Sequence, residues 1–155
     1  FDLHVTSATH TQRILRAAFG GSGEFGVQLA RRALAQPSNR LRRTVLLTAA
    51  EFPSTAVLKF LVQVTHIKDR PDENLQELRR GAVDALGRTQ SPAAVQTLVR
   101  LVEGGLRVRG SDYLRVDAAQ ALLRTATGRK SLESLSQHRQ RGIRELAQKT
   151  LRSRL

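Results

Sequence analysis

One stretch of this chain repeats another. Leu78-Arg-Arg-Gly-Ala-Val-Asp-Ala-Leu-Gly-Arg-Thr89 lies over Leu114-Arg-Val-Asp-Ala-Ala-Gln-Ala-Leu-Leu-Arg-Thr125 at an offset of 36 residues, with Leu, Arg, Ala, Ala, Leu, Arg and Thr identical. Leu41-Arg-Arg-Thr-Val45 opens a third copy 37 residues before Leu78, and a weaker fourth runs from Ile143-Arg-Glu-Leu-Ala147 to Leu151. Between the copies, Val57 to Val64 aligns with Val95 to Val102. A period of this length is the mark of stacked supersecondary units, in which one unit cannot cover its own apolar stripe and its neighbours complete the core.

The units read as helix pairs. Leu78, Ala82, Ala85 and Leu86 follow i, i+4, i+7, i+8, as do Leu114, Ala118, Ala121 and Leu122, while Val95, Leu98, Val99 and Val102 follow i, i+3, i+4, i+7. Alternation at Leu106 to Arg109 is flanked by Gly104, Gly105 and Gly110, which indicates a loop. Ser54, Asp72, Ser91, Asp112 and Ser131 are candidate N-caps, and Gly128 reads as the end of a helix. The expected elements are a first helix near 7–19, then pairs 24–36 with 39–51, 54–66 with 73–88, 91–103 with 112–126, and 131–137 with 140–153. The fold class is all-α: a right-handed α-solenoid of about four helix pairs plus an N-terminal helix, spanning 1–155 as one domain. A chain of 155 residues that starts on Phe1 rather than Met reads as a fragment or processed piece of a longer protein.

Residues 78–125 resemble a HEAT repeat, in particular the short bacterial type related to phycobilisome lyase subunits: an inner helix with Arg-x-x-Ala-x-x-Ala-Leu-Gly from Arg79, a helix-starting Pro92, and an outer helix with Ala94-Val95 and Leu98. The resemblance implies a scaffold that binds a protein through its concave face and inter-repeat loops. Its lyase branch implies a second HEAT-repeat subunit and an acidic phycobiliprotein. HEAT-repeat DNA glycosylases are also similar, but their aromatic walls have no counterpart in a chain without Trp.

Charge adds a second candidate. There are 26 Lys plus Arg against 13 Asp plus Glu, a formal net charge of +13, and the excess is concentrated in residues 104–155, with 12 basic and 4 acidic side chains. Arg42, Arg43, Arg79, Arg80, Arg115 and Arg144 occupy matching positions of the inner helices, and Arg107 and Arg109 lie in the long connection between two helices. At helix spacings of about 8–10 Å such a row suits phosphate. The same residues equally suit a structural ladder of ion pairs, since Arg80 and Arg88 flank Asp84 at four residues. Nucleic-acid backbone binding is therefore the alternative to a protein partner, whose surface would be acidic. With no Trp and one Tyr, base stacking is disfavoured, and Phe19, Phe25, Phe52 and Phe60 are assigned to the core.

Little supports catalysis. The chain has no Cys and four scattered His, which argues against metal and thiolate chemistry, and His66 near Asp69 reads as a cap rather than a base. Gly21-Ser-Gly23-Glu-Phe-Gly26 matches G-x-G-x-x-G but follows a helix, not a strand. No run of about 18 apolar residues exists to span a membrane. The expectation is no enzyme and no cofactor, with the compartment open.

Overall fold

The computed structural model describes residues 8–104 and 112–153. Among them the chain forms α1 (Ala8–Gly21), α2 (Gly23–Leu34), α3 (Asn39–Ala50), α4 (Thr55–Thr65), α5 (Gln76–Arg88), α6 (Pro92–Val102), α7 (Asp112–Leu122), α8 (Ala126–Leu135) and α9 (Arg141–Arg152). The one extended pairing among the described residues is an isolated bridge between Arg70 and Glu73. The all-α reading holds, and α2, α3 and α4 start and stop within two residues of their expected limits.

Local chemistry explains those limits. Ser22, Ser38 and Ser54 sit in extended backbone before their helices, and each hydroxyl accepts the amide three residues on, from Phe25, Leu41 and Val57. Ser91 holds the same position before α6 without a side-chain cap bond, and Pro92 follows at the first helical position, where no amide is required.

Two expected caps are corrected. The amide of Gln76 donates to Asn74 Oδ1 at 2.9 Å and that of Leu75 to Asp69 Oδ1 at 2.7 Å, so α5 is opened by these side chains and not by Asp72. The seventh helix stops at Leu122, and α8 starts at Ala126, where Thr125 Oγ1 accepts the Gly128 amide at 2.9 Å. Gly128 and Ser131 therefore lie inside α8. Gly128 is required there because a Cβ would run into the carbonyl of Leu122.

The helices group into two compact units, residues 1–85 and 86–155, divided inside α5. In the first, α1 packs on α3 and α2 on α4, forming two layers around Leu15, Phe19, Ala30, Val45, Leu46, Phe60 and Leu61. In the second, α7 packs on α9 and α6 on α8, around Leu98, Leu114, Ala118, Leu122, Leu132 and Ile143. Each of these larger side chains removed from water contributes about 1.5–3 kcal/mol.

Close approach decides one orientation that the sequence reading had reversed. Gly26 lies against Phe19, so near that a Cβ would stand 2.8 Å from the Phe19 Cα. The face of α2 turned to α1 and the core is thus Gly26, Val27, Ala30, Ala33 and Leu34. Phe25, assigned to the core from its type, points the other way and is 59% exposed. Phe19 and Phe60 are buried as expected, and Phe52 stacks on Phe19 at a centroid distance of 6.1 Å.

Candidate functional site

The recurring arginines occupy one structural position. Arg42, Arg79, Arg115 and Arg144 are each the fourth residue of α3, α5, α7 and α9, each following a buried Leu or Ile except at Leu41, which is half-buried. Each donates to a backbone carbonyl at or just beyond the end of the preceding helix: Arg42 Nε to Leu34 at 3.1 Å, Arg79 Nη1 to Ile67 at 2.8 Å, Arg115 Nε to Val102 at 3.0 Å, and Arg144 Nη1 to His138 at 3.2 Å. A helix end leaves carbonyls without intrahelical partners and carries partial negative charge. A guanidinium, with five donors in a fixed fork, answers both needs at once.

Two of these arginines also hold a connection in place. Arg79 Nη2 reaches both carboxylate oxygens of Asp69 at 3.2 Å, and Arg42 Nη1 pairs with Glu73, which Arg70 also approaches at 3.4 Å. Asp69 thereby gathers the Leu75 amide and the Arg79 guanidinium on one carboxylate. These hydrogen bonds, the Leu75 amide first, hold its pKa below the ordinary aspartate value. The long connection from His66 to Leu75 is thus pinned at Asp69 and Glu73.

Burial then separates the expected site residues. Arg42 and Arg79 are 5% and 6% exposed and face carbonyls and carboxylates of their own chain. Arg115 and Arg144 are half-buried and make the same carbonyl contact. Arg43 and Arg80 are exposed, with Arg80 at 4.0 Å from Glu77. Arg107 and Arg109 lie outside the described residues. His66 is exposed, with Nδ1 at 2.8 Å from the Val62 carbonyl and 3.0 Å from Thr65 Oγ1, a helix-end arrangement. Among the described residues no group of three His, Asp or Glu is placed to hold a metal, and no helix is long and apolar enough to cross a membrane.

The HEAT-repeat family matches residues 27–122, which run from α2 through α7 and cover well over half of the chain. The chain belongs to the HEAT-repeat family. Proteins built from HEAT repeats generally mediate protein–protein interaction and scaffolding, and are typically non-catalytic. No characterised protein matches this chain closely enough to name its partner.

Within the HEAT framework, the exposed sides of α3 and of α7 are each mixed in character. On α3 it carries Arg40 and Arg43 with half-buried Leu47. On α7 it carries Asp112, half-buried Tyr113, Val116 and Gln120. Among the described residues, Val116, at 41% exposure, is with Phe25 one of two large apolar side chains that stand in solvent. Neither was singled out from sequence as a surface residue. Gly26, whose lack of a side chain turns Phe25 outward, was the available signal.

Proposed function

We propose that this HEAT-repeat chain is a non-catalytic scaffold domain that binds another protein through exposed helix sides, that of α3 in the first unit and those of α7 and α9 in the second, and the connections between repeats. One observation carries the reading: the signature arginines are committed to carbonyls and carboxylates of their own chain. What the helices of each unit turn outward carries both charge signs with apolar residues among them. Protein interfaces combine aromatic and apolar anchors with a polar rim, whereas a backbone-reading surface needs a continuous basic stripe. The Arg-x-x-Ala-x-x-Ala-Leu-Gly pattern from Arg79 and the helix-starting Pro92 support assignment to the short bacterial type of repeat, and the surplus of positive charge favours an acidic partner surface.

The test is quantitative affinity capture from a nuclease-treated bacterial lysate with three forms of the chain. These are the unmodified protein, a variant carrying Arg43→Glu with Val116→Asp, and a control carrying Arg100→Glu on the exposed side of α6. The expected result is a set of proteins retained by the first and third and lost from the second. Retention of the same proteins by all three, or capture only when nuclease is omitted, would sink the scaffold reading.

A second reading, binding to a nucleic-acid backbone, is favoured by the imbalance around α8 and α9. There Lys130, Arg139, Lys149 and Arg152 are exposed, while Glu133 and Glu145 are engaged by Arg129 at 3.9 Å and Arg141 at 2.6 Å.

A further inference from the structure

The exposed phenylalanine lies in a groove. On one side of the α1–α2 pair, Ile14, Ala17, Ala18 and Gly21 of α1 and Phe25 and Leu29 of α2 line an apolar depression of about 610 Å³, with Gln28 and Arg32 at its border. An aromatic ring that is 59% exposed beside half-buried Ile14 and Leu29 is poorly explained by the stability of the isolated chain. Large apolar side chains gathered in one exposed concavity mark places where another molecule docks.

The distribution of charge along the groove specifies what fits. Helices α1 and α2 are consecutive and meet at Ser22. Arg13 lies nine residues before that turn and Arg32 ten after it. At 1.5 Å per residue both stand roughly 14 Å along their helices from the turn, and Arg32 borders the groove at that far end. Both are exposed. The remaining arginines of the pair are engaged elsewhere: Arg16 donates to both carboxylate oxygens of Glu51 at 2.8 and 2.9 Å, and Arg31 bonds Gln63 and lies 5.8 Å from the Phe60 ring centroid. The acid of this pair, Glu24, is at the turn end. The groove therefore runs from an apolar floor at Phe25 to a basic mouth at Arg32, with exposed Arg13 at the same level of α1.

We infer that this groove receives a short amphipathic helix from an acidic protein partner. Apolar residues spaced i, i+3 or i+4, and i+7 span about 10 Å, which matches the distance from Phe25 to the mouth. Asp or Glu at one end of that helix meets Arg32. The net charge of +13 favours this occupant over a second copy of the chain, which would bring positive charge to a positive mouth. The inference deepens the scaffold reading and rests on it, and it adds a surface on α1 and α2 distinct from the face tested above.

The probes are two fluorescein-labelled peptides of about 15 residues, both with Leu at i, i+4, i+7 and i+11. One carries Glu at the flanking positions and the other Lys, and binding is followed by anisotropy at about 0.1 M salt. The Glu peptide is expected to bind with a Kd on the order of 10 µM and the Lys peptide at least about tenfold more weakly. Phe25→Ser and Arg32→Glu should each weaken the Glu peptide by about tenfold, whereas Arg100→Glu on α6 leaves it unchanged. Because Phe25 is exposed, the Phe25→Ser protein should keep the thermal midpoint of the parent, which separates lost binding from lost folding.

Equal binding of both peptides, indifference to Phe25→Ser, or no binding would overturn the proposal. So would a dimer in sedimentation that Phe25→Ser dissociates, which assigns the groove to a second copy, or peptide binding that requires deletion of residues 1–7, which assigns it to the chain's own start. If the peptides fail while the capture experiment succeeds, the groove assignment falls and the scaffold reading stands.

Discussion

At the scale of single residues, the arginine of each repeat is a joint. Arg79 shows why Lys cannot replace it: one planar group donates to the Ile67 carbonyl and to both oxygens of Asp69, a fork that an ammonium cannot reproduce. Arg79→Lys should lower stability at pH 7 by about 1–3 kcal/mol, against about 0.5 or less for Arg80→Lys on the exposed side. Acid makes the comparison sharper. The pKa of Asp69 is lower in the folded chain than in the unfolded one, so the native state binds fewer protons, and this stabilisation is complete above the unfolded value of about 3.9. It is lost as pH falls through the depressed folded value. The Leu75 amide, the largest cause of that depression, survives in Arg79→Lys, but the guanidinium contribution does not. Urea unfolding of both proteins at pH 7 and near pH 3 should therefore show the gap narrowing in acid without closing, because the contact with the Ile67 carbonyl does not titrate. A gap that widens in acid would remove Asp69 from the account.

At the scale of elements, the start of α8 separates the two readings of Thr125 to Ser131. Thr125→Ala should cost about 1 kcal/mol by leaving the Gly128 amide without its cap, while Ser131→Ala, inside the helix, should stay within about 0.5 kcal/mol. Equal costs in thermal or urea unfolding would mean that the cap is misplaced. The sequence offers Ser131 as the cap here, and Thr125 takes that place because Gly128 packs against the Leu122 carbonyl, a fact of the folded turn. Elsewhere the helix pairs were readable because their apolar residues recur with a 3.6-residue period and their punctuation by Ser and Pro is local. Alignment of the repeats also found Arg42, Arg79, Arg115 and Arg144. It could not show where the guanidinium groups point, since their shared partners are backbone carbonyls that leave no trace in residue type. Phe25 was misread for a related reason: its direction is set by the contact of Gly26 with Phe19 on another helix, while residue type alone favours burial.

At the scale of the whole molecule, the question is what a formal charge of +13 does once the repeat arginines are accounted for. The buried arginines are neutralised or bonded within the chain, but Lys130, Arg139, Lys149 and Arg152 remain in solvent, and residues 104–155 as a segment hold 12 basic against 4 acidic side chains. Such a field attracts any polyanion at low salt, because each phosphate contact releases condensed counterions, with a slope of about 0.9 in log K against log salt. A scaffold for an acidic protein predicts attraction of this general kind and nothing tighter. Titration with a labelled duplex of about 25 base pairs should give binding at about 50 mM salt that weakens by more than about tenfold at 200 mM, without preference among sequences. Lys149→Glu together with Arg152→Glu should reduce the slope by about two units if each contacts a phosphate. Arg32→Glu in the α1–α2 groove changes the peptide experiment and should leave this slope nearly intact. Nanomolar duplex binding that persists at physiological salt, and that the α9 substitutions abolish, would instead make the backbone of a nucleic acid the primary ligand and the apolar groove secondary.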